Sequence, residues 1–264
     1  MKAIRADFPT DWPRCNVYTL ADLHIGDPHC VPSEVKRRID EIKDDPHGLC
    51  ILNGDLMNTA LRNSVSDVYG EVMKPMQQIN FMVDLLKPNS DKIIGATTGN
   101  HENRVYKADG IDTMRIVCRE LGFEDKYCPE GVFIFLRFGT RGTQQHPKEG
   151  RNPRQWYSIY ATHGSGGGML TGGNVNRNER FGYVMDGVDC LITGHTHKPW
   201  VTQPAKIVVD TRNNKVTTRP FKVISATSWL NYGGYAAQKM LLPTSHVKQI
   251  VVLSGRGKDI KVLM

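Results

Sequence analysis

Along the first half of the chain, short apolar runs alternate with amphipathic stretches; along the second, short strand-like runs dominate. "NVYTLAD" (16–22) predicts a first strand. "SEVKRRIDEIK" (33–43) follows as a helix, with Ser33 as N-cap and Val35, Ile39 and Ile42 on one face. "GLCILNGD" (48–55) predicts a short buried strand ending in Gly-Asp. "PMQQINFMVDLLK" (75–87) predicts a helix opened by proline, with Met76, Ile79, Val83 and Leu86 on one stripe. "DKIIGATTGNHE" (91–102) reads as a strand ending in a polar loop, and "IDTMRIVCRELG" (111–122) as a helix stopped by Gly122.

The pattern then shifts toward strands. "VFIFLRFG" (132–139) and "WYSIYATHG" (156–164) predict two strands joined by a polar, basic loop, and "DCLITGHTH" (189–197) predicts another. "KIVVDT" and "KVTTRP" flank an Asn-Asn turn, and "FKVISATS", "VKQIVVLS" and "DIKVLM" follow. Helices early and strands late imply one domain over residues 1–264, with two packed sheets and helices outside. Strands at 205–264 are expected to complete the second sheet.

Composition narrows the class. With 264 residues and 39% hydrophobic content, the chain can bury a sizeable core. No apolar run approaches the roughly 18 residues of a membrane span, and the first residues lack an apolar signal core. No membrane partner is expected. The six cysteines (15, 30, 50, 118, 128 and 190) include no C-x-x-C pair. That fits reduced thiols in the cytoplasm better than disulfides or a zinc knuckle. The net charge of +7 favours anionic partners, as a field effect that names none of them.

The chemistry lies where the predicted strands end. The first ends in "DLH", with Asp22 and His24; the second in "GD", with Asp55; the third in "GNHE", with Asn100 and His101. Later strands end in "THG", with His163, and "GHTH", with His195 and His197. Five of the nine histidines fall at these positions, which independent solvated histidines would not do. The donors are imidazole, carboxylate and amide, too many for one tetrahedral zinc site. They suit two adjacent divalent ions, about 3.5–4 Å apart in known two-metal sites, sharing one carboxylate. Residues two apart on a strand leave on the same side, so His195 and His197 can each take a different ion. Turn residues capping strand ends are the plainer alternative for any single Asp or Asn.

The ordered motifs D-x-H, G-D, G-N-H-[DE], H and G-H-x-H resemble the calcineurin-like metallophosphoesterase superfamily over residues 16 to 200. The resemblance implies a four-layered α/β/β/α sandwich of two mixed sheets flanked by helices. It also implies a hydrolase acting on phosphate esters, with two divalent ions as cofactors. Carried onto matching positions, it implies Asp22, His24, Asp55 and His197 on the first metal. Asp55, Asn100, His163 and His195 would hold the second, with Asp55 bridging. His101 would be catalytic, facing the substrate rather than a metal. Mn²⁺ is expected first, and Fe, Co²⁺, Zn²⁺ or Ni²⁺ are compatible. "RNSVSDVYGE" (62–71), "ATHGSGGG" (161–168) and "NYGGYAAQK" (231–239) also resemble small stand-alone members found in bacteria and their phages.

Substrate and secondary residues rest on less. Glu102 can orient Asn100 or His101 or face solvent, and Asn53 and Asn58 can support the site or serve the turn. The run "GSGGGMLTGG" (164–173) lacks both P-loop and G-x-G-x-x-G spacing, and, following His163, is expected to let backbone pass close to the second metal. Beyond it, Arg177 and Arg180 are candidates to hold a substrate phosphate. The loop at 139–155 carries Arg141, Lys148, Arg151 and Arg154 and can track a nucleic-acid backbone. His29, His47, His146 and His246 are expected at the surface. Phosphodiesters of nucleotides or nucleic acid, DNA or RNA, are the expected substrates. The alternatives are a phosphomonoesterase acting on a small molecule or phosphoprotein, and a non-catalytic scaffold on the same fold. "GNHE" resembles protein phosphatases and purple acid phosphatases, but G-D-x-x-D-R-G is missing, because "LMNTALR" follows Asp55. The purple enzymes' tyrosine ligand motif is missing too.

Overall fold

Runs that are apolar at every position must be covered on both faces, and here they become the inner strands of two sheets. The structure is a computed structural model that describes residues 1–9, 12–62, 64, 68–141, 155–168, 170–243 and 245–264. Its first half contains β1 (Lys2–Pro9), β2 (Arg14–Leu20), α1 (Pro32–Asp44), β3 (Gly48–Asn53), α2 (Pro75–Leu86) and β4 (Ile93–Thr97). Then come α3 (Asn100–Asp109), α4 (Thr113–Glu120), β5 (Val132–Arg141), β6 (Trp156–Ala161), α5 (Thr171–Val184) and β7 (Cys190–Thr193). The remainder forms β8 (Trp200–Thr202), β9 (Ala205–Asp210), β10 (Lys215–Pro220), β11 (Lys222–Ser225), α6 (Gly234–Gln238), β12 (Ile250–Ser254) and β13 (Ile260–Leu263).

One sheet has the strand order β13-β12-β2-β3-β4, the other β1-β5-β6-β7-β11-β8, and β9 and β10 form a separate hairpin. Within the first sheet β2, β3 and β4 are parallel, and within the second β6, β7 and β11 are parallel. The C-terminal ends of each trio therefore share one edge.

Alternation along the strands divides the core. Tyr18, Leu20, Cys50 and Leu52 pack with Ile39, Ile42, Ile79, Met82 and Val117 of α1, α2 and α4. Their neighbours Val17, Leu49 and Ile51 pack with Ile134, Ile159 and Ile192 of the second sheet. On the far side of that sheet, Tyr160, Leu191 and Val223 pack with Val175 of α5. Each large aliphatic side chain fully buried this way contributes about 1.5–3 kcal/mol. The result is an α/β/β/α sandwich of mixed sheets with flanking helices.

Several expectations shift. Helix α1 opens on Pro32 after an uncapped Val31, so Ser33 sits inside the first turn rather than at the N-cap. Proline at this position lacks only an N–H that would have no helical partner. Helix α4 begins after Asp112, whose carboxylate accepts the Arg115 N–H at 2.9 Å. Strand β1 pairs parallel to β5, an edge that the sequence reading missed. Strands from 205 to 264 do not all join the second sheet: β11 does, whereas β12 pairs with β2 of the first and β13 pairs with β12. The physical reason is that β2 would otherwise leave a row of unpaired backbone groups at an open edge. Among the described residues, no helix is long and apolar enough to cross a membrane.

Candidate metal centre

The two parallel edges meet, and the residues just past their strands converge there. The Asp22 N–H donates to Gly54 O at 3.1 Å, joining the ends of β2 and β3. Asn53 donates its amide to Thr162 O at 2.9 Å, tying the first sheet to the second. The Gly194 N–H donates to His163 O at 2.9 Å, and the His195 N–H reaches both carboxylate oxygens of Asp22 at 3.0 Å. His101 stands on α3, whose first residue is Asn100, so "GNHE" opens a helix rather than a polar loop.

Among the described residues, donor atoms gather in three groups whose members lie within 4.8 Å of one another. These are Asp22, His24 and His197; Asp55, His163 and His195; and His24, Asp55 and His101. Asn100 joins the second group, with Oδ1 2.7 Å from His195 Nδ1 and 3.2 Å from His163 Nε2. All eight strand-end residues singled out from the sequence are thus brought together, and Asp55 belongs to two of the groups. His101 shares the third group, so proximity alone does not separate it from the other donors.

The backbone is bent to achieve this. Asp22, His24, Asp55, His195 and His197 all have φ between 49° and 67°. Left-handed backbone costs L-residues about 1–2 kcal/mol each, and such strain collects at functional sites. The motif glycines serve this crowding more than they serve turning. A Cβ on Gly194 would stand 2.8 Å from Asp22 Oδ2, and one on Gly54 would stand 2.6 Å from Gly99 N. A Cβ on Gly99 would collide with the Asp55 carboxylate.

Electrostatics match the donor chemistry. Asp22 and Asp55 are buried, with His197 Nε2 3.4 Å from Asp22 and the Nε2 atoms of His163 and His101 3.1 and 3.9 Å from Asp55. Buried carboxylates are costly unless paired or coordinating. Burial drives His24 well below the usual imidazole range, and the His101 and His197 rings add to it, keeping its nitrogens in the neutral, ligating form. Its Nδ1 is buried without a hydrogen-bond partner. Burial opposes charge on His163 too, but the Asp55 carboxylate 3.1 Å away outweighs it and lifts the ring to about 10. His163 Nδ1 donates to Asn53 O at 2.8 Å, which turns Nε2 toward Asp55 and Asn100. Imidazoles, two buried carboxylates and one amide form a donor set that fits divalent ions, whose binding would displace the proton from a ring such as His163.

Glu102 is the main residue that sequence reasoning undervalued. It is buried and accepts the backbone N–H groups of Asp55, Met57 and Gly99 at 2.9–3.0 Å. Burial, followed by the Asp55 charge, pushes its carboxyl up to about 7, although those N–H groups favour the charged form. The clue was a glutamate at the third position of a helix, reaching back to the N-cap residue. It went unread because the helix itself was read as a loop.

A cavity of about 820 Å³ opens over the cluster, lined on one side by His24, Asp55, Asn100, His101, His195 and His197. Arg104, one turn beyond His101 on α3, also lines it. Arg177 and Arg180 do not: both are exposed on α5, although Arg177 packs beneath Gly166 of the cavity wall. The glycine run lines the cavity through Gly166, Gly167 and Gly168 and then continues into α5, rather than staying a loop. His29 and His246, expected simply at the surface, stand on the cavity wall as well. The basic loop lies outside the described residues from 142 to 154, as does the side chain of Arg141.

The calcineurin-like phosphoesterase model matches residues 23–199, two-thirds of the chain. The chain belongs to that family. This phosphoesterase is accordingly a metal-dependent hydrolase of phosphate esters, and its His/Asp clusters can hold the divalent ions that the family uses. Among solved structures it is similar to a conserved uncharacterized protein from Streptococcus pneumoniae described as a predicted phosphoesterase. The identity is 13% over 95% of this chain and 97% of that one, with a TM-score of 0.37. No curated protein matches the phosphoesterase chain.

Proposed function

We propose that this phosphoesterase hydrolyses phosphodiesters of nucleotides or nucleic acid, acting as one domain over residues 1–264. Asp22, His24, Asp55 and His197 hold one divalent ion, and Asp55, Asn100, His163 and His195 hold a second. The observation that carries the assignment is that Asp55 stands between the two sets, grouped with His163 and His195 on one side and with His24 on the other. Mn²⁺ suits this mixture of imidazole and oxygen donors. Six free cysteines, four of them buried, suit a reducing compartment such as the cytoplasm.

When bound, such a pair of ions supplies Lewis acidity toward phosphate oxygens and activates water for in-line attack. The chain's own groups do the rest. Asn58 O accepts the Nδ1 proton of His101 at 3.0 Å, so Nε2 is the nitrogen presented to the ester. Protonated, it delivers that proton to the departing oxygen. Burial holds the free ring near 4, and an anionic phosphate beside it favours the protonated form. Arg104 takes the phosphate-orienting role for which Arg177 and Arg180 were candidates, since among the described residues it is the arginine that lines the cavity.

The diester preference rests on the net charge of +7, which steers polyanions, and on a cavity much wider than one phosphate needs. The test compares catalytic efficiency on a DNA oligonucleotide, bis-p-nitrophenyl phosphate and p-nitrophenyl phosphate with Mn²⁺ at two salt concentrations. Diesters are expected to be cleaved faster, and a nucleic-acid substrate should lose affinity steeply with salt. Faster monoester cleavage with no DNA degradation at either salt would overturn the diester reading.

A further inference from the structure

We infer that Glu71 and Gln78 are positioning residues for His101, acting through the strained loop 58–60; the inference rests on the acid role proposed above for His101. It gives a task to the end of the segment "RNSVSDVYGE", which the metal cluster leaves unused.

His101 is gripped from three sides. Its backbone N–H donates to Asp55 Oδ1 at 2.8 Å, its Nδ1 to Asn58 O at 3.0 Å, and its carbonyl accepts the Thr59 hydroxyl at 2.7 Å. Two of these three contacts come from consecutive loop residues, so the ring can be no better placed than the loop. The loop does not hold itself. Thr59 is β-branched with φ of 42°, a conformation that such residues rarely adopt and that surrounding contacts must enforce.

Those contacts come from two side chains. Glu71 Oε1 accepts the Asn58 amide at 2.7 Å and the Ala60 N–H at 3.0 Å, one on each side of Thr59. Gln78 Oε1 accepts the Thr59 N–H itself at 2.8 Å. Gln78 is in turn locked, because its amide donates to Glu71 Oε2 at 2.6 Å and to Met73 O at 2.8 Å. Gln78 is fully buried on α2, a helix seated in the main core. The chain of contact therefore runs from a packed helix, through Gln78 and Glu71, to the carbonyl that fixes the His101 tautomer.

Space has been cleared for this arrangement. A Cβ on Gly26, two residues beyond His24, would collide with the Gln78 amide. Gly26 also accepts the Val72 N–H at 2.9 Å through its carbonyl, which brings the Glu71 segment alongside. The first metal motif and the His101 support are thus built around one another. Neither Glu71 nor Gln78 is among the clustered donors, so their loss should spare metal binding.

The experiment uses the full chain loaded with Mn²⁺ and a series of aryl and alkyl phosphodiesters whose leaving groups span a wide pKa range. The variants are Glu71→Gln, Thr59→Ala, Thr59→Ser, His101→Ala and the double variant Glu71→Gln/His101→Ala. Glu71→Gln should keep its metal and its melting transition, yet lose about 10–100-fold in kcat on poor leaving groups, as outer-sphere supports do. On p-nitrophenolate esters the loss should nearly vanish. Thr59→Ala should behave alike and Thr59→Ser should restore activity, and the double variant should be no slower than His101→Ala. Equal losses across all leaving groups, or additive losses in the double variant, would overturn the inference. A His101→Ala series with no leaving-group dependence would instead remove the acid role. The double variant would then still decide whether Glu71 works through His101. If Glu71→Gln fails to fold, the Thr59 pair still reads the leaving-group dependence, and equal losses across leaving groups or no rescue by serine counts against the inference.

Discussion

The cavity has two unlike walls. On the strand-end wall Asp22, His24, Asp55 and His163 are buried, and the backbone is left-handed at five positions. The facing wall, from Leu230 to His246, includes the five-residue helix α6 and exposes about half of Tyr232 and Leu242. One wall is fixed by sheet edges and paired carboxylates; the other is a loop and a short helix with partly exposed side chains. A site built this way separates the group that must be held rigidly from the surface that can vary with the substrate. Changes in the first wall should act on turnover and metal content, and changes in the second on substrate affinity alone.

The strongest way to break that contrast is at Asp55. Asp55→Asn should empty both metal sites and reduce turnover on the order of 10³-fold or more, as removal of a principal charge-stabilising group does. His197→Ala and His195→Ala should each lose one ion of the two. Elemental analysis of the purified variants reads this directly, and full occupancy in Asp55→Asn would refute the shared carboxylate. Next in size comes Gly99→Ala, where the added methyl meets the Asp55 carboxylate. Metal affinity should fall by about 10–100-fold, the range for displaced supports of a metal site, with little change in helix content by circular dichroism.

The facing wall predicts smaller effects. Tyr232→Ala should raise KM by at most about tenfold, corresponding to partial loss of one aromatic contact, while kcat and bound metal stay as they were. A fall in kcat equal to the rise in KM would show that both walls take part in turnover. Smallest of all, Arg177→Ala and Arg180→Ala should change efficiency on small diesters by less than about twofold, as exposed substitutions do. A large loss would return these arginines to the substrate.

Much of the strand-end wall was legible because its chemistry is local in sequence. Asp22 and His24 follow β2 directly, and His195 and His197 follow β7, so apolar runs point to them without any knowledge of pairing. Glu102 and Arg104 were not legible in the same way. Their roles depend on α3, and Gly99-Asn100 reads as a turn until the capping interaction of Glu102 is seen. Arg177 and Arg180 were candidates through nearness in sequence to His163, but both are exposed on α5 and neither lines the cavity. His29 and His246 lie outside the strand-end motifs, so nothing in the sequence marks them. Their places on the cavity wall come from backbone contacts between distant segments, such as the Asn231 N–H on His29 O. Sheet membership of the later strands was likewise a matter of partner choice, which alternation along a strand does not encode.

That partner choice bears on how the protein is made. Strand β2, which leads into Asp22 and His24, is bordered on one side by β3 and on the other by β12, with Val17 opposite Val251. During synthesis β2 and β3 leave the ribosome early, but the strand that closes their open edge is translated last among the sheet's neighbours of β2. Contacts of such wide sequence separation form slowly, and an unsealed edge invites pairing with other chains in the meantime. The half of the cluster built from the first motif thus waits on nearly the whole chain, and nascent fragments that stop short of β12 are expected to depend on chaperones and to bind metal poorly.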